Sequence, residues 1–378
     1  MKILITTPFF SNLGGSELET IHTANTFSSF KKVDEVVVYV HGEFDLKFSE
    51  GIFIDKKINF NSKPFFLKNR YLEKINKFMT KRIGLEISPL DNLYWFFFPL
   101  KSYERVYIIT KSTLDYYLPI MKIHKSHKKI WVKYTTIFFD KMPAFKLKFL
   151  SKIAMNSVTS EKQATFFRNV LKLNNVDIQE IILYNETYVL KKERTILDKR
   201  LFDFGIVGRF SEEKQFEDAI DLIEELKGKG FNTRLLIAGD GCKEYFLKIE
   251  NRVLQKGLSG NVKLEFGKVN YDQVYDFFDR INCFLITSKY EGGPNIGLEV
   301  MAYGLPILSY DVGAMKDRLS DFSNLIAINK KDLIEKAEKI VRYSESDFLN
   351  LCQSIKTKYI VNYSNKNKIR AIEKFLYE

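Results

Sequence analysis

The chain has 378 residues, 45% of them hydrophobic and 28% charged, a globular mix with room for two cores. Its net charge of +12 is unevenly placed: residues 1–190 carry 28 Lys and Arg against 18 Asp and Glu, and residues 51–150 carry 20 against 7, so a basic surface in the first half can face nucleic acid, anionic lipid or an acidic substrate. Three scattered cysteines (Cys242, Cys283, Cys352) and four histidines with no H-E-x-x-H pair give neither a disulfide framework nor a zinc spacing, and no apolar run approaches the ~20 residues that cross a bilayer.

The chain opens on a short apolar strand, residues 2–6. It lacks the charged start, apolar core and cleavage site of a signal peptide, so a cytoplasmic protein is expected. Residues 11–15 read as a loop, 16–30 as a helix and 36–40 as a buried strand. Further strands are expected at 106–109, 130–134, 157–159 and 181–184. Strands alternating with helices imply a parallel sheet covered on both faces. Residues 191–200 are polar and aperiodic, and read as a linker. A second series follows: a strand at 202–207, a helix at 216–230 ending on a glycine, strands at 235–238, 262–266, 283–287 and 307–309, and helix from 333 onward. The expected fold is α/β, with two doubly wound Rossmann-like domains facing each other across a cleft. Their boundaries are 1–190 and 191–378, with the last helix (about 356–378) packing back on the first domain.

Ligands of open parallel sheets bind beyond the carboxyl ends of the strands. Four segments of the second half end there: Gly208-Arg209, Gly239-Asp240-Gly241, Gly267-Lys268-Val269, and residues 288–299. In the last, a strand runs through Glu291-Gly292-Gly293 into Pro294, expected in the first turn of a helix that stops at Gly304. N–H groups at Gly293, Asn295 and Ile296 would then face an anion, helped by the positive helix end. A diphosphate is the natural guest. Glu291 and Glu299 suit such a site only as acceptors for hydroxyls, which a sugar and a ribose supply. Arg209 and Lys214 put two cations at the same mouth. Taken singly, each of these is as well read as an ordinary surface charge or cap.

Together, in order and spacing, they resemble glycosyltransferase family 4, the large retaining GT-B family. Glu291-x7-Glu299 is similar to its E-x7-E element, Gly208-Arg209-Phe210 with Lys214 to its diphosphate-binding pair, and Glu299-Val-Met-Ala-Tyr-Gly-Leu-Pro306 to its E-A-M-A-C-G-x-P run. Gly14-Gly15 resembles the family's first glycine loop. The resemblance implies that Glu299 binds the ribose, Glu291 the donor sugar, and residues 267–271 the base side, Gly267 and Val269 included. Gly14, Gly15, Gly208, Gly239, Gly241, Gly292, Gly293, Pro294, Asn295 and Ile296 would complete the donor site. Arg209 and Lys214 would neutralise the leaving diphosphate, with no metal and no cofactor beyond the nucleotide sugar, UDP ahead of GDP. A hexose or N-acetylhexosamine would pass, with retention, to a saccharide or lipid-linked acceptor in surface-polysaccharide synthesis. The family's usual strand-end His has no counterpart in residues 131–136, so Lys111, Thr135 or Thr136 would make that contact. The alternative is a non-catalytic GT-B partner protein that binds a nucleotide sugar or a sister transferase.

Residues 56–82 interleave nine Lys and Arg with Phe60, Phe65, Phe66, Tyr71 and Phe78, and Lys146 and Lys148 with Phe145 and Phe149 extend the pattern. Such a surface, over 56–82 and 141–155, suits anionic headgroups on the inner face of the cytoplasmic membrane. A solvated basic face with its aromatics turned into the core is the equal alternative, and no nucleic-acid module is present.

Overall fold

A computed structural model describes residues 1–10, 15–47, 52–62, 71, 74–75, 78, 102–109, 129–135, 142, 144–183, 186–192, 202–267, 269 and 274–377. The chain divides into two compact units: Met1–Tyr184 with Asn365–Glu378, and Asn185–Ser364.

The first unit runs β1 (Lys2–Thr7), α1 (Gly15–Ser29), β2 (Glu35–Val40), β3 (Ile58–Ser62), β4 (Arg105–Ile109), β5 (Ile130–Lys133), α2 (Ala144–Leu150), β6 (Met155–Val158), α3 (Glu161–Asn169) and β7 (Val176–Ile178). The described strands form a parallel sheet in the order β3-β2-β1-β4-β5-β6-β7. The central strands are continuous apolar runs because both faces are covered. Alternate residues serve opposite cores. Leu4, Val37, Ile108 and Val132 pack with Phe149 and Phe167 from α2 and α3. Ile3, Ile5, Val36, Val38 and Trp131 pack with Ile21 and Phe27 of α1.

Two readings of this unit need correction. The strand Ile58–Ser62 was not expected: its pattern INFNS buries only one residue. Residues 181–183 are not a strand; the last strand is Val176–Ile178. Ile181, Ile182 and Leu183 are buried as irregular chain instead.

The second unit runs α4 (Glu186–Lys191), β8 (Phe202–Val207), a 3-10 turn (Glu212–Lys214), α5 (Phe216–Gly228), β9 (Leu235–Gly239), α6 (Lys243–Gln255), β10 (Val262–Phe266), α7 (Val274–Asp279), β11 (Ile281–Ile286), α8 (Asn295–Tyr303), β12 (Ile307–Tyr310), α9 (Met315–Arg318), β13 (Ile326–Ala327), α10 (Lys330–Val341) and α11 (Glu345–Lys358). Its described strands are again parallel, in the order β10-β9-β8-β11-β12-β13. The connections reverse direction at β8, so the switch point of the sheet lies beside the carboxyl ends of β8 and β11, where such sheets bind ligands.

After a π-helical turn at Tyr359–Tyr363, helix α12 (Asn365–Tyr377) rejoins the first unit. The Asn365 amide accepts from Leu183 N at 2.7 Å and donates to Leu183 O at 2.7 Å. Ile372, Phe375 and Leu376 enter the α1-side core. Arg105 donates to Phe375 O (2.6 Å) and Leu376 O (3.1 Å), a cation on the free carbonyls of a helix end. Lys368 is carried into the interior, where its ammonium donates to Tyr107 Oη at 3.2 Å and lies 4.9 Å from the Trp131 ring.

Candidate active site

The switch point of the second unit is assembled first from backbone. Gly208 N donates to Ala238 O at 3.0 Å, and Gly267 N to Gly239 O at 2.9 Å. The ends of β8, β9 and β10 are thereby stitched into one rim. Gly239 has φ +150, and a Cβ there would fall 1.9 Å from Gly208 O. Only a residue without a side chain lets these strand ends meet. Gly241 continues the rim by bridging to Phe210.

Two loops rise from this rim. The 3-10 turn after β8 carries Lys214, whose stem lies over Gly208. Thr287, just past β11, donates through Oγ1 to Lys214 O at 2.7 Å, and Lys289 N donates to Glu213 O at 2.8 Å. These bonds fix the turn against the β11 loop. Lys214 Nζ then meets Glu291 Oε1 at 2.6 Å, with side chains 25% and 18% exposed. Residues 77 apart in sequence are thus joined by a charge-assisted hydrogen bond. Arg209 is exposed and, among the described residues, has no carboxylate partner. One cation at this mouth is engaged and the other is open to an anion.

Gly292 and Gly293 lead to α8. Pro294 is its N-cap, not a residue of its first turn, with φ −59 and ψ 117. The difference follows from its extended ψ, which leaves Asn295 as the first helical residue. Asn295 and Ile296 form the first turn, where backbone N–H groups lack intrahelical acceptors and the helix dipole is positive. Gly304 ends the helix in the left-handed conformation, φ +78. Glu299, one turn in, is only 6% exposed. Val207, Lys214, Glu291, Pro294 and Ile296 line one small depression.

Beside the rim lies a cavity of about 340 Å³ lined by Ala238, Glu265, Phe266, Gly267, Val269 and Arg280, among others. Arg280 grips Glu265 through two bonds of 3.0 and 2.7 Å, and this guanidinium holds the Glu265 carboxyl down to about 2. Sequence reasoning missed the pair; nothing in a spacing of fifteen residues across a helix announces it. The Phe266 ring is 41% exposed at the edge of this cavity, with Lys243 Nζ 4.6 Å from its centroid.

Of the residues expected in the first half, Gly15 opens α1 and Thr135 follows β5, half-buried. Gly14, Lys111, Thr136 and Lys268 lie outside the described residues, as does most of 56–82. Within that segment, Phe60 turns inward, its ring 4.9 Å from that of Phe10, while Tyr71, Ile75 and Phe78 are exposed. The proposed extension at 141–155 is corrected in part. Lys146 is 3% and Phe149 7% exposed, because α2 presses this side into the core. Among the described residues no cluster of His, Cys, Asp and Glu could hold a metal ion, and no helix is long and apolar enough to cross a membrane.

Residues 190–359 match the family model described as glycosyl transferases group 1. The uncharacterized glycosyltransferase MJ1178 of Methanocaldococcus jannaschii is 28% identical over 175 residues, 45% of this chain and 46% of that one. The capsular polysaccharide biosynthesis glycosyltransferase CapM of Staphylococcus aureus is 24% identical over 179 residues, 47% of this chain and 45% of the other. The chain thus spans about half the length of the curated relatives it matches. The Anabaena protein Alr3699/HepE, solved in complex with UDP and glucose, superposes with a TM-score of 0.72 at 14% identity, covering 100% of this chain and 99% of that one. That likeness concerns the fold, which is GT-B: two Rossmann-like α/β units with all-parallel sheets.

Proposed function

We propose that this chain, whose second unit carries a group 1 glycosyltransferase domain, transfers a hexose or N-acetylhexosamine, with retention, from a nucleoside diphosphate to a hydroxyl of a saccharide or lipid-linked acceptor. The observation that carries the reading is the Lys214–Glu291 contact of 2.6 Å at the switch point, beside the N-terminus of α8. A cation, a hydroxyl acceptor and a positive helix end converge there. Those are the groups a sugar diphosphate requires.

In this reading Lys214 exchanges Glu291 for a phosphate oxygen when the donor binds. Glu291 is then free to accept from a sugar hydroxyl. Arg209 and Lys214 stabilise the charge that grows on the diphosphate as the glycosidic bond breaks, which is where fixed positive groups accelerate reaction most. Glu299 accepts from the ribose, and the cavity at Gly267 and Val269 receives the base, UDP ahead of GDP. The same two cations do the work a metal ion would otherwise do, and no cofactor is needed beyond the donor. The first unit serves the acceptor, through Thr135 and through Lys111 and Thr136. Its basic segment 56–82 docks on anionic lipid, tested by sedimentation with anionic vesicles; no sedimentation at low salt overturns that part.

One observation favours a second reading, a GT-B partner that binds a nucleotide sugar without chemistry. The strand β5 ends in Lys133-Tyr134-Thr135, with none of the family's usual histidine. Thermal shift with UDP, GDP and their sugars, on wild type and Glu299→Ala, separates the cases. A ligand at about 100 times its Kd adds ~2.7 kcal/mol to stability. Stabilisation lost in the variant supports the donor site. Sugar release or transfer with the anomer assigned by NMR supports the enzyme, and binding without turnover supports the partner. No shift by any nucleotide at millimolar concentration overturns the donor site and leaves the partner of a sister transferase as the better reading.

A further inference from the structure

Arg318, on α9, is 1% exposed, among the largest fully buried side chains of the protein. Its Nη1 donates to Pro294 O at 2.6 Å and lies 3.8 Å from Met315 Sδ. A guanidinium is costly to take out of water, and an apolar side chain of similar volume would pack there at less cost. The neighbour above it is equally unexpected. Gly297 stands inside α8, where glycine is the weakest helix former after proline. A Cβ at 297 would come 2.7 Å from Met315 Sδ and 3.2 Å from Arg318 Nη1. Two locally unfavourable residues are therefore adjacent, and the glycine leaves the space that Met315 and the arginine share.

What this arrangement does follows from the planarity of the peptide. In a trans peptide the C=O and the following N–H point in opposite directions. Pro294 O accepts from Arg318 on one side and from Gly297 N at 2.9 Å. With that carbonyl clamped toward the interior, the N–H of Asn295 is turned the other way, toward the start of α8. The loop is braced a second time where Gly313 packs against the backbone of Gly292.

We propose that Arg318 is a positioning residue of the donor site. It holds the Pro294–Asn295 peptide so that the first-turn N–H groups face the donor's diphosphate, and it places a fixed positive charge beneath them. The inference rests on the function proposed above. Because the charge lies under the phosphates and far from the base, its effect scales with ligand charge, which a purely structural role would not produce.

The test measures binding of UDP, UMP and uridine, with GDP, GMP and guanosine in parallel, to wild type, Arg318→Gln, Arg318→Lys and Gly297→Ala. Melting temperature and circular dichroism are followed alongside. Arg318→Gln is expected to weaken diphosphate binding about 10-fold or more, an effect of the size one desolvated charge exerts on another nearby. The nucleoside should bind unchanged, and Arg318→Lys should restore part of the loss. Equal weakening of diphosphate and nucleoside, or no weakening, overturns the proposal. If Arg318→Gln does not fold, Gly297→Ala decides: it keeps the charge but crowds the guanidinium, so a selective loss of diphosphate affinity is expected and wild-type binding refutes it. A wild type that binds neither UDP nor GDP refutes the donor site itself, an outcome visible before any variant is compared.

Discussion

Lys368→Met tests the interior of the first unit. Burial pushes the Lys368 ammonium down to about 7, and the like charge of Lys133 adds to the effect, against Glu19, Glu180 and Asp177. Its other neighbours are Tyr107 and Trp131. The sign follows from proton counting. Between the folded value and the ordinary lysine value of 10.5, the unfolded chain holds a proton that the folded chain has released, so stability rises with pH across that window. Each pH unit inside it is worth ~1.4 kcal/mol at most, so the rise from pH 7 to 9 is ~2 kcal/mol. With a urea m-value of ~1–3 kcal/mol/M, the midpoint moves by about 1 M. Both tryptophans, Trp95 and Trp131, belong to the first unit. Tryptophan fluorescence in urea therefore reads the right unit. His22, pushed down to about 4 by burial, acts only below pH 6.5 and stays out of the window. Lys368→Met should be more stable than wild type at pH 7 and show a flat midpoint from pH 7 to 9. A flat wild type, or a variant that follows the wild-type slope, refutes the reasoning.

Lys214→Met leaves Glu291 without its partner at 2.6 Å and, in the reaction proposed above, removes a cation from the charge growing on the diphosphate. Initial rates of transfer should fall by ~100–1000-fold with little change in melting temperature, and a rate within a few-fold of wild type would exclude Lys214 from the site. Gly239→Ala places a methyl 1.9 Å from Gly208 O at φ +150. Backbone strain and displacement, at ~1–3 kcal/mol each, should lower the far-UV unfolding midpoint and abolish nucleotide binding; a variant that binds and melts as wild type would show that the rim tolerates a side chain.

The central strands were legible because a run such as Val36-Val37-Val38-Tyr39-Val40 is buried on both faces and can be little else. The misread ones lie at sheet edges. In β3, alternating Asn residues face outward and dilute the pattern. In β13, two residues are too few to form a pattern. At residues 181–183 the apolar run is truly buried, but Leu183 finds its backbone partners in the Asn365 side chain, 182 residues away, not in a neighbouring strand. The identities of Gly208, Lys214, Glu291 and Glu299 came from spacing that resembles a known family. Their contacts did not, since the Lys214–Glu291 pair arises only when β8 and β11 end side by side, and the Glu265–Arg280 pair only when the residue after α7 comes back against β10. Arg318 stayed hidden because an arginine in a polar stretch gives no sign that it will be buried.

The return of α12 to the first unit has a consequence for how the protein is made. Residues 185–364, the whole second unit, are synthesised between the main part of the first unit and the helix that fills its core. At 5–20 residues per second those 180 residues occupy the ribosome for roughly 10–40 s. During that time the side of the sheet that Ile372, Phe375 and Leu376 will cover is exposed. The unit begun first is finished last, and an elongation stall between residues 185 and 364 leaves an open apolar face for chaperones or for a neighbouring nascent chain to bind.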